Sequence, residues 1–374
     1  MALTVAIDTD VLAHYVTNSH VQLGTLKHKV KNINLFLEGN KQPTFNQVSD
    51  IAKAINIPTG LLLLSQPIEL ITDKTKFRTA NSEPIMDMSD ELRDTILEIE
   101  SKQDFLRNEI EEVLTFVGQY SLETNKNEII STVNSALGLK KADAKIKKSI
   151  LQNPIKYFRN KINDMGVFVF FNGKVGDNTH RPLDTHEFRG FVLSDSKAPM
   201  IFINQTDSKN GQLFTLVHEF VHLFLDADEI FNVVETKDYH FDPLEALVNS
   251  VTAEVLVPKR ELFQYKTIDI DELVKHFPVS KFTIARRLLD LNLIDKNFYN
   301  QKIDELNNSL QQNIKHAKKP GGDYNNNLTF RIDKMFAGYV NNAVQENRIT
   351  TTDAINILGV GYKGYKTLQK SINQ

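Results

Sequence analysis

The sequence predicts a mostly helical α+β protein that contains one small mixed β-sheet. Runs rich in β-branched and aromatic residues occur only within residues 166–204, where short buried strands are expected. Elsewhere apolar residues recur at helical spacing, most clearly over residues 88–117. The chain of 374 residues is long enough for two to four domains, and 41% of its residues are apolar. A sizeable hydrophobic core is therefore expected.

The composition excludes several kinds of protein and site. The chain has no cysteine, which excludes a disulfide framework, a thiol nucleophile and a Cys-ligated zinc finger. A tightly bound transition metal must therefore have His and carboxylate ligands. The net charge of −3 gives no overall electrostatic reason to bind nucleic acid or membranes. Because neither a long apolar run nor a signal-peptide pattern occurs, we expect a cytoplasmic protein without membrane contact.

These patterns divide the chain into four parts. Short helices come first, then a polar connector with a long amphipathic helix, then strands with buried helices, and finally a helical C-terminal region. The corresponding ranges are residues 1–70, 71–140, 141–300 and 301–374. In the first part we expect a helix over Thr44–Ile57, capped by Thr44 or Asn46. In the last part, the basic stretch Lys315–Gly322 ends in Pro-Gly-Gly and predicts a flexible joint.

Two histidines and a glutamate in an apolar helix indicate a metal site that activates water. His218, Glu219 and His222 lie within Phe214–Leu225. Histidines at positions i and i+4 of a helix project from one face and can bind one metal ion. Glu219 is angled away from that face, so it is placed to take a proton from metal-activated water and not to bind the metal. Burying these groups unpaired is costly, which favours a metal site over two structural histidines.

A catalytic zinc site needs a third protein ligand and keeps one position for water. Glu245 begins the helical segment Glu245–Pro258 and is the candidate. Asn249, one turn later, is expected to orient a ligand by a hydrogen bond. Glu254 is the main rival on this segment. The other competing carboxylates are Asp226, Asp228, Glu229, Glu235 and Asp242. We predict one zinc ion per chain, bound by His218, His222 and Glu245.

With these residues, the chain resembles the long form of the ImmA/IrrE family of HExxH metallopeptidases, in which a Cro/CI-like helix-turn-helix module precedes the peptidase. The active-site helix of the family is similar to Phe214–His222. Its Glu-x-x-Ala-Asn-x-Phe-Ala-x-x-Leu-Leu-x-Pro segment matches at Glu245, Asn249, Leu256 and Pro258, and the packing positions that depart from it are Val248, Val251 and Thr252. The similarity extends to Gln42–Thr44, Ile57–Leu64, Leu92–Thr95, Phe188–Asn204, Phe277–Leu289 and Asp353–Val360.

The resemblance implies a zincin-like metallopeptidase core, an N-terminal helix-turn-helix-like bundle and a helical C-terminal region. It also implies a zinc-dependent endopeptidase of narrow specificity that cleaves a partner repressor or antitoxin encoded nearby, in a mobile-element, stress-response or toxin–antitoxin system. The residues themselves also indicate hydrolysis by metal-activated water, with Glu219 as general base and then as general acid. They do not identify the substrate. The candidates for stabilising the oxyanion are Tyr239, His240, His186 and Tyr265.

The N-terminal module has few side chains for reading DNA. Residues 1–65 contain five Lys, no Arg and four acidic residues, whereas phosphate and guanine contacts depend on Lys and especially Arg. DNA is therefore a weakly supported partner, and protein docking is the other interpretation. Two functions stay open: an endopeptidase that inactivates a regulator, or a DNA-binding regulator or antitoxin-type protein with a structural or vestigial metal site. Glu219 favours the endopeptidase, because a structural zinc needs no carboxylate base there.

Overall fold

The computed structural model divides the chain into two compact units. One unit comprises residues 1–74 and 87–93, and the other comprises residues 75–86 and 94–374. The residues described within them are 4–17, 19, 21, 23–55, 57, 59–67, 77–79, 88–225, 230–232, 242–314 and 323–372. The flexible joint predicted over Lys315–Gly322 lies outside these residues, as does most of the polar connector.

Short helices form the first unit, as the sequence predicts. They are α1 (Thr9–Thr17), α2 (Leu23–Lys29), α3 (Ile33–Leu37) and α4 (Phe45–Ala54), followed by a 3-10 turn at Thr59–Leu63. Thr44 caps α4: its hydroxyl accepts a hydrogen bond from the Gln47 amide, and its own amide donates to the Gln47 side chain at 2.8 Å. Such a reciprocal cap satisfies two helix-end amides and stabilises a helix by about 1 kcal/mol.

The second unit is also mostly helical. The described helices that begin at residue 90 or later are α5 (Asp90–Glu109), α6 (Lys126–Ala136), α7 (Ala144–Gln152), α8 (Pro154–Asn163), α9 (Lys209–His222), α10 (Pro243–Leu256), α11 (Lys259–Leu262), α12 (Ile270–Leu273), α13 (Lys281–Asp290), α14 (Lys296–Ile314), α15 (Tyr324–Arg331), α16 (Lys334–Gln345), α17 (Thr351–Leu358) and α18 (Tyr362–Ile372). Among all the described helices, none is both long enough and apolar enough to cross a membrane.

Helix α5 is shorter than predicted. It ends at Glu109, whereas the apolar pattern continues to residue 117. The chain beyond it pairs with the end of α9 instead: the Gly118 amide donates to the Leu223 carbonyl at 2.9 Å, and the Tyr120 amide donates to the Phe224 carbonyl at 2.8 Å. Tertiary hydrogen bonds thus replace helical ones after Glu109, although the local sequence pattern still predicts a helix there.

A three-stranded mixed sheet lies within residues 166–204, as predicted. The described strands are β1 (Phe77–Thr79), β2 (Phe168–Asn172), β3 (Gly190–Leu193), β4 (Met200–Asn204) and β5 (Ile230–Asn232). The sheet has the order β2-β4-β3, with β2 parallel and β3 antiparallel to β4.

The expectation that strands occur only within residues 166–204 was wrong. Strands β1 and β5 form a separate parallel pair. Each has three residues, which is too few to show a period of two, and the partners are far apart in the chain. A pairing of this kind leaves no local pattern in the sequence.

The mixed sheet is buried on both faces. Phe171 faces the hydrophobic core that includes residues of α8 and α9. On the opposite face, Phe170 contacts Phe336 and Phe168 contacts Tyr339, both on α16, with ring centroids 5.4 Å and 6.0 Å apart. Successive strand residues point to opposite faces, so the histidine-bearing helix α9 and the C-terminal helices cover different sides of one sheet.

A buried ion pair joins the C-terminal helices to the sheet. Asp333 caps α16, and its Oδ1 accepts hydrogen bonds from the amides of Met335 and Phe336 at 2.9 Å and 3.0 Å. Its Oδ2 accepts one from the Val169 amide of β2 at 3.0 Å and lies 3.9 Å from the Arg159 guanidinium. Arg159, on α8, donates to the Val169 carbonyl at 2.6 Å. One carboxylate thus connects α8, β2 and α16.

Replacing Gly190 by alanine should lower the free energy of unfolding by about 1–3 kcal/mol. A β-carbon at this position would lie 2.5 Å from Thr215 Cγ2 of α9 and 2.8 Å from the Phe202 carbonyl oxygen of β4, so both α9 and the backbone of β4 would have to shift. Gly338→Ala is the matched control, because a β-carbon there would have no neighbouring atom of the described residues within 4 Å, and alanine favours the helix. Denaturant unfolding measures the difference. Wild-type stability in Gly190→Ala would contradict the close contact.

Candidate metal centre

Helix α9 carries three polar side chains into the hydrophobic core. It begins after Ser208, whose hydroxyl accepts a hydrogen bond from the Gly211 amide at 3.1 Å. His218, Glu219 and His222 are each no more than 1% exposed. Because buried polar side chains are almost always paired in proteins, each of these groups needs a partner.

Glu245 forms a cluster with the two histidines. Its Oε2 lies 3.3 Å from His218 Nε2, and its Oε1 lies 3.1 Å from His222 Nε2. The two Nε2 atoms are 3.0 Å apart. One ligand atom from each of the three residues lies within 4.8 Å of the others. The structure therefore brings together the three side chains that were predicted as metal ligands.

Asp242 positions Glu245 in the first turn of α10. Its Oδ1 accepts hydrogen bonds from the amides of Leu244 and Glu245 at 2.8 Å and 3.3 Å, and Pro243 is the first helical residue. Asp at the N-cap and Pro at the first position both favour the start of a helix. We predicted Asp242 only as a competing carboxylate, although the Asp-Pro pair before Glu245 signals this capping role.

The cluster combines an ionised carboxylate with an uncharged imidazole. Burial alone would raise the pKa of Glu245, but hydrogen bonds from the His218 and His222 rings hold it far below its ordinary value. Burial lowers the pKa of His222, and this effect exceeds the opposing effect of Glu245. An ionised carboxylate and a neutral imidazole are the forms in which these residues bind a metal.

Glu219 stays outside the cluster. Both of its carboxylate oxygens are buried and have no hydrogen-bond partner among the residues that the structure describes. Burial, together with the negative charge of Glu245, raises the pKa of Glu219 well above its ordinary value. Burying a carboxyl group without a partner destabilises a protein. Among the described residues, no hydrogen bond offsets this cost for Glu219.

The donor set fits a catalytic zinc ion. Two imidazole nitrogens and one carboxylate oxygen are the ligands of one known type of catalytic zinc site, which keeps a fourth position for water or substrate. A hydrogen-bonded His-His-Glu group without a metal would account for His218, His222 and Glu245. It would leave the buried oxygens of Glu219 unexplained, which favours the metal site.

The rival ligand Glu254 has a different role. Its Oε1 accepts a hydrogen bond from the Lys259 amide at 3.0 Å, and its Oε2 pairs with the guanidinium of Arg287. Arg287 also donates through Nε to the Val257 carbonyl at 3.1 Å. Glu254 therefore connects the C-terminal end of α10 to α13. The remaining rivals lie outside the described residues, and they are Asp226, Asp228, Glu229 and Glu235.

The other predicted site residues that the structure describes make no contact with the cluster that it records. Asn249 is exposed on α10, and its amide makes no hydrogen bond to the three clustered side chains in the part of the chain described. The orienting role predicted for Asn249 is therefore not observed. His186 is exposed, and Tyr265 stacks on His276 with ring centroids 4.2 Å apart. The other two oxyanion candidates, Tyr239 and His240, lie outside the described residues.

Comparison with known proteins finds a similarity to a peptidase family in the part of the chain that surrounds this cluster. The family model described as Peptidase_M78, IrrE N-terminal-like domain, matches residues 162–289. The matched segment includes the three-stranded sheet, α9 and α10, and hence all four residues of the candidate site. No curated protein and no solved structure matches the chain. The match supports the resemblance to ImmA/IrrE peptidases, whereas the helix-turn-helix resemblance of the N-terminal module stays a prediction.

Proposed function

We propose that this chain is a zinc-dependent endopeptidase of the ImmA/IrrE family that cleaves one specific partner protein. Residues 162–289 match the IrrE N-terminal-like family model. The observation that carries the proposal is the cluster of His218, His222 and Glu245 beside the carboxyl group of Glu219, which has no hydrogen-bond partner in the part of the chain that the structure describes. The family supports a protease with a protein substrate. The identity of the metal and of the partner are parts of the proposal.

In this function, His218, His222 and Glu245 hold the metal, and Glu219 moves protons. A zinc ion bound by the three ligands would polarise the scissile carbonyl and make water a stronger nucleophile near neutral pH. Glu219 accepts the proton of the attacking water and later donates it to the nitrogen of the leaving amine. The apolar surroundings of these side chains exclude bulk water, which strengthens electrostatic interactions within the site.

The partner that we propose is a helix-turn-helix repressor or an antitoxin encoded near this chain. This part rests on the resemblance of the chain to the long ImmA/IrrE form. Cleavage would inactivate the regulator and so change expression in a mobile-element, stress-response or toxin–antitoxin system.

Co-expression of the chain with a neighbouring repressor-like or antitoxin-like protein tests the proposed activity. With the wild-type chain we expect a shortened partner, detected by immunoblotting and mass spectrometry. With His218→Ala we expect a full-length partner, because a ligand of the metal is lost. Full-length partners throughout, with a zinc-loaded wild-type chain, would contradict the proposal.

Each purified wild-type chain should contain about one zinc ion, and His218→Ala or Glu245→Ala should lose most of it. Either substitution removes one of three converging ligands, so the two remaining side chains bind the metal much more weakly. Elemental analysis by mass spectrometry measures the zinc content. His186→Ala is the matched control, because His186 is exposed and should not affect zinc. Equal zinc in His218→Ala and wild type would show that the ligand assignment is wrong.

A further inference from the structure

The segment from Lys126 to Lys161 is strongly basic, although the whole chain is slightly acidic. It contains nine Lys and Arg residues and two acidic residues, a net charge of +7, whereas the chain has a net charge of −3. The lysines are concentrated on α7, in the turn before it and on the following helix α8.

Part of this charge is neutralised within the protein. Lys147 Nζ pairs with Glu261 Oε1 at 2.8 Å, and Lys161 Nζ pairs with Asp164 Oδ2 at 3.1 Å. Lys126 Nζ donates a hydrogen bond to Ser250 Oγ at 3.0 Å. The five remaining lysines are exposed and form no ion pair with any residue that the structure describes. We refer to them as the lysine surface, which consists of Lys140, Lys141, Lys145, Lys148 and Lys156.

Helix α7 presents these charges to solvent. Ile150 is buried in the hydrophobic core that also includes residues of α8 and α9, and Ile146 packs against this core. This side of α7 therefore faces the interior of the second unit. Lys148 projects from the opposite side of α7, because one helical turn takes 3.6 residues. Asp143 is already used as the N-cap, where its Oδ1 accepts a hydrogen bond from the Ile146 amide at 2.8 Å. The charge of the lysine surface is therefore available to a partner.

We propose that the lysine surface binds the phosphate backbone of duplex DNA without sequence preference. Lysines that neutralise phosphates release counterions, and this release supplies nearly all of the free energy of non-specific DNA binding. Residues 140–156 contain no Arg and no aromatic residue. The surface thus lacks the side chain that reads guanine best and the rings that stack on single-stranded bases.

The residues on this surface fit DNA better than an acidic protein. Contacts between proteins are rich in aromatic residues and Arg and poor in Lys, which is the reverse of the composition here. The Lys147–Glu261 pair joins α7 to α11, the short helix that follows the Glu245-bearing helix. DNA bound here would bring a DNA-bound repressor close to the segment that matches the peptidase family, residues 162–289. The approach of the repressor rests on the proposed function, whereas DNA binding by the lysine surface does not.

The test is fluorescence anisotropy of the full chain with two labelled 20-base-pair duplexes of unrelated sequence, over a series of salt concentrations. We expect equal affinity for both duplexes and a slope of log Kd against log salt of about 4 to 5, since each phosphate contact contributes about 0.9. The combined variant Lys140→Gln, Lys141→Gln, Lys145→Gln and Lys148→Gln should weaken binding at low salt by about 100-fold or more and lower the slope by about 3 to 4.

The matched control carries the same change in charge on the C-terminal helices, where all four chosen lysines are exposed. Its substitutions are Lys334→Gln, Lys363→Gln, Lys366→Gln and Lys370→Gln, and it should bind as wild type does. Equal weakening in both variants would mean that only total charge matters and would overturn the proposal. No binding at low salt, preference for one duplex, or tighter binding to polyglutamate than to DNA would each overturn it as well. Both variants should keep their zinc, so failure here is distinguishable from failure of the proposed peptidase function.

Discussion

Glu219→Gln should leave the fold and the zinc content unchanged and reduce cleavage of the partner by about 10²–10⁴-fold or more. Glutamine has nearly the shape of glutamate, and Glu219 is not one of the three clustered ligand side chains. Its amide cannot accept a proton from water or return one to the leaving amine. The partner should therefore still bind but stay intact. Co-expression followed by immunoblotting of the partner, with zinc analysis of the purified variant, measures both effects.

Glu261→Gln is the control for this substitution. Glu261 is a partly exposed carboxylate of the same unit, paired with Lys147 at 2.8 Å, and a surface pair of this kind contributes at most about 1 kcal/mol. Cleavage by this variant should match that of wild type. A protein that acts only as a DNA-binding regulator gives the opposite pattern. Its reporter output would be unchanged in Glu219→Gln, and no cleaved partner would be found with wild type.

Asp333→Ala should lower the free energy of unfolding by about 3–5 kcal/mol, the usual result of removing one member of a buried ion pair. The side chain of Asp333 is fully buried and that of Arg159 is 11% exposed, so the guanidinium would lose its charged partner without gaining water. The Val169 amide would lose its acceptor, and α16 would lose its cap. Denaturant unfolding monitored by circular dichroism measures the change.

Asp323→Ala is the control that separates the contribution of an N-cap from the contribution of the buried ion pair. Asp323 caps α15 by accepting a hydrogen bond from the Asn326 amide at 2.8 Å, but it is exposed. Its removal should cost about 1 kcal/mol, as expected for a surface N-cap. If Asp333→Ala were no more destabilising than Asp323→Ala, then the ion pair would not be what connects the C-terminal helices to the sheet.

The part of the site that lies on one helix could be predicted from the sequence. The positions of His218, Glu219 and His222 relative to one another depend only on helical periodicity, which is a local property. The same holds for the Thr44 cap, since its partner Gln47 is three residues away. The β-rich runs at residues 166–204 likewise predicted the mixed sheet, because each strand is five residues long or nearly so and consists almost wholly of buried residues.

The sequence alone does not decide whether Glu245 or Glu254 is the third metal ligand. Both carboxylates lie on α10, and local spacing allows either to be considered as the third ligand. In the structure, Arg287 from α13 pairs with Glu254, while Asp242 places Glu245 in the turn that meets α9. The outcome depends on which elements pack against each end of α10, and no local pattern contains that information.

By itself, then, the sequence determined the elements whose causes are local: the amphipathic and buried helices, the apolar strands, and the paired histidines with their neighbouring glutamate. Only the tertiary structure decided three further features. These are the end of α5 at Glu109, the pairing of β1 with β5, and the meeting of Glu245 with His218 and His222. The physical reason is the same in each case. Hydrogen bonds and ion pairs between residues distant in the chain determine these features, and their strength depends on the folded arrangement and not on neighbouring residues.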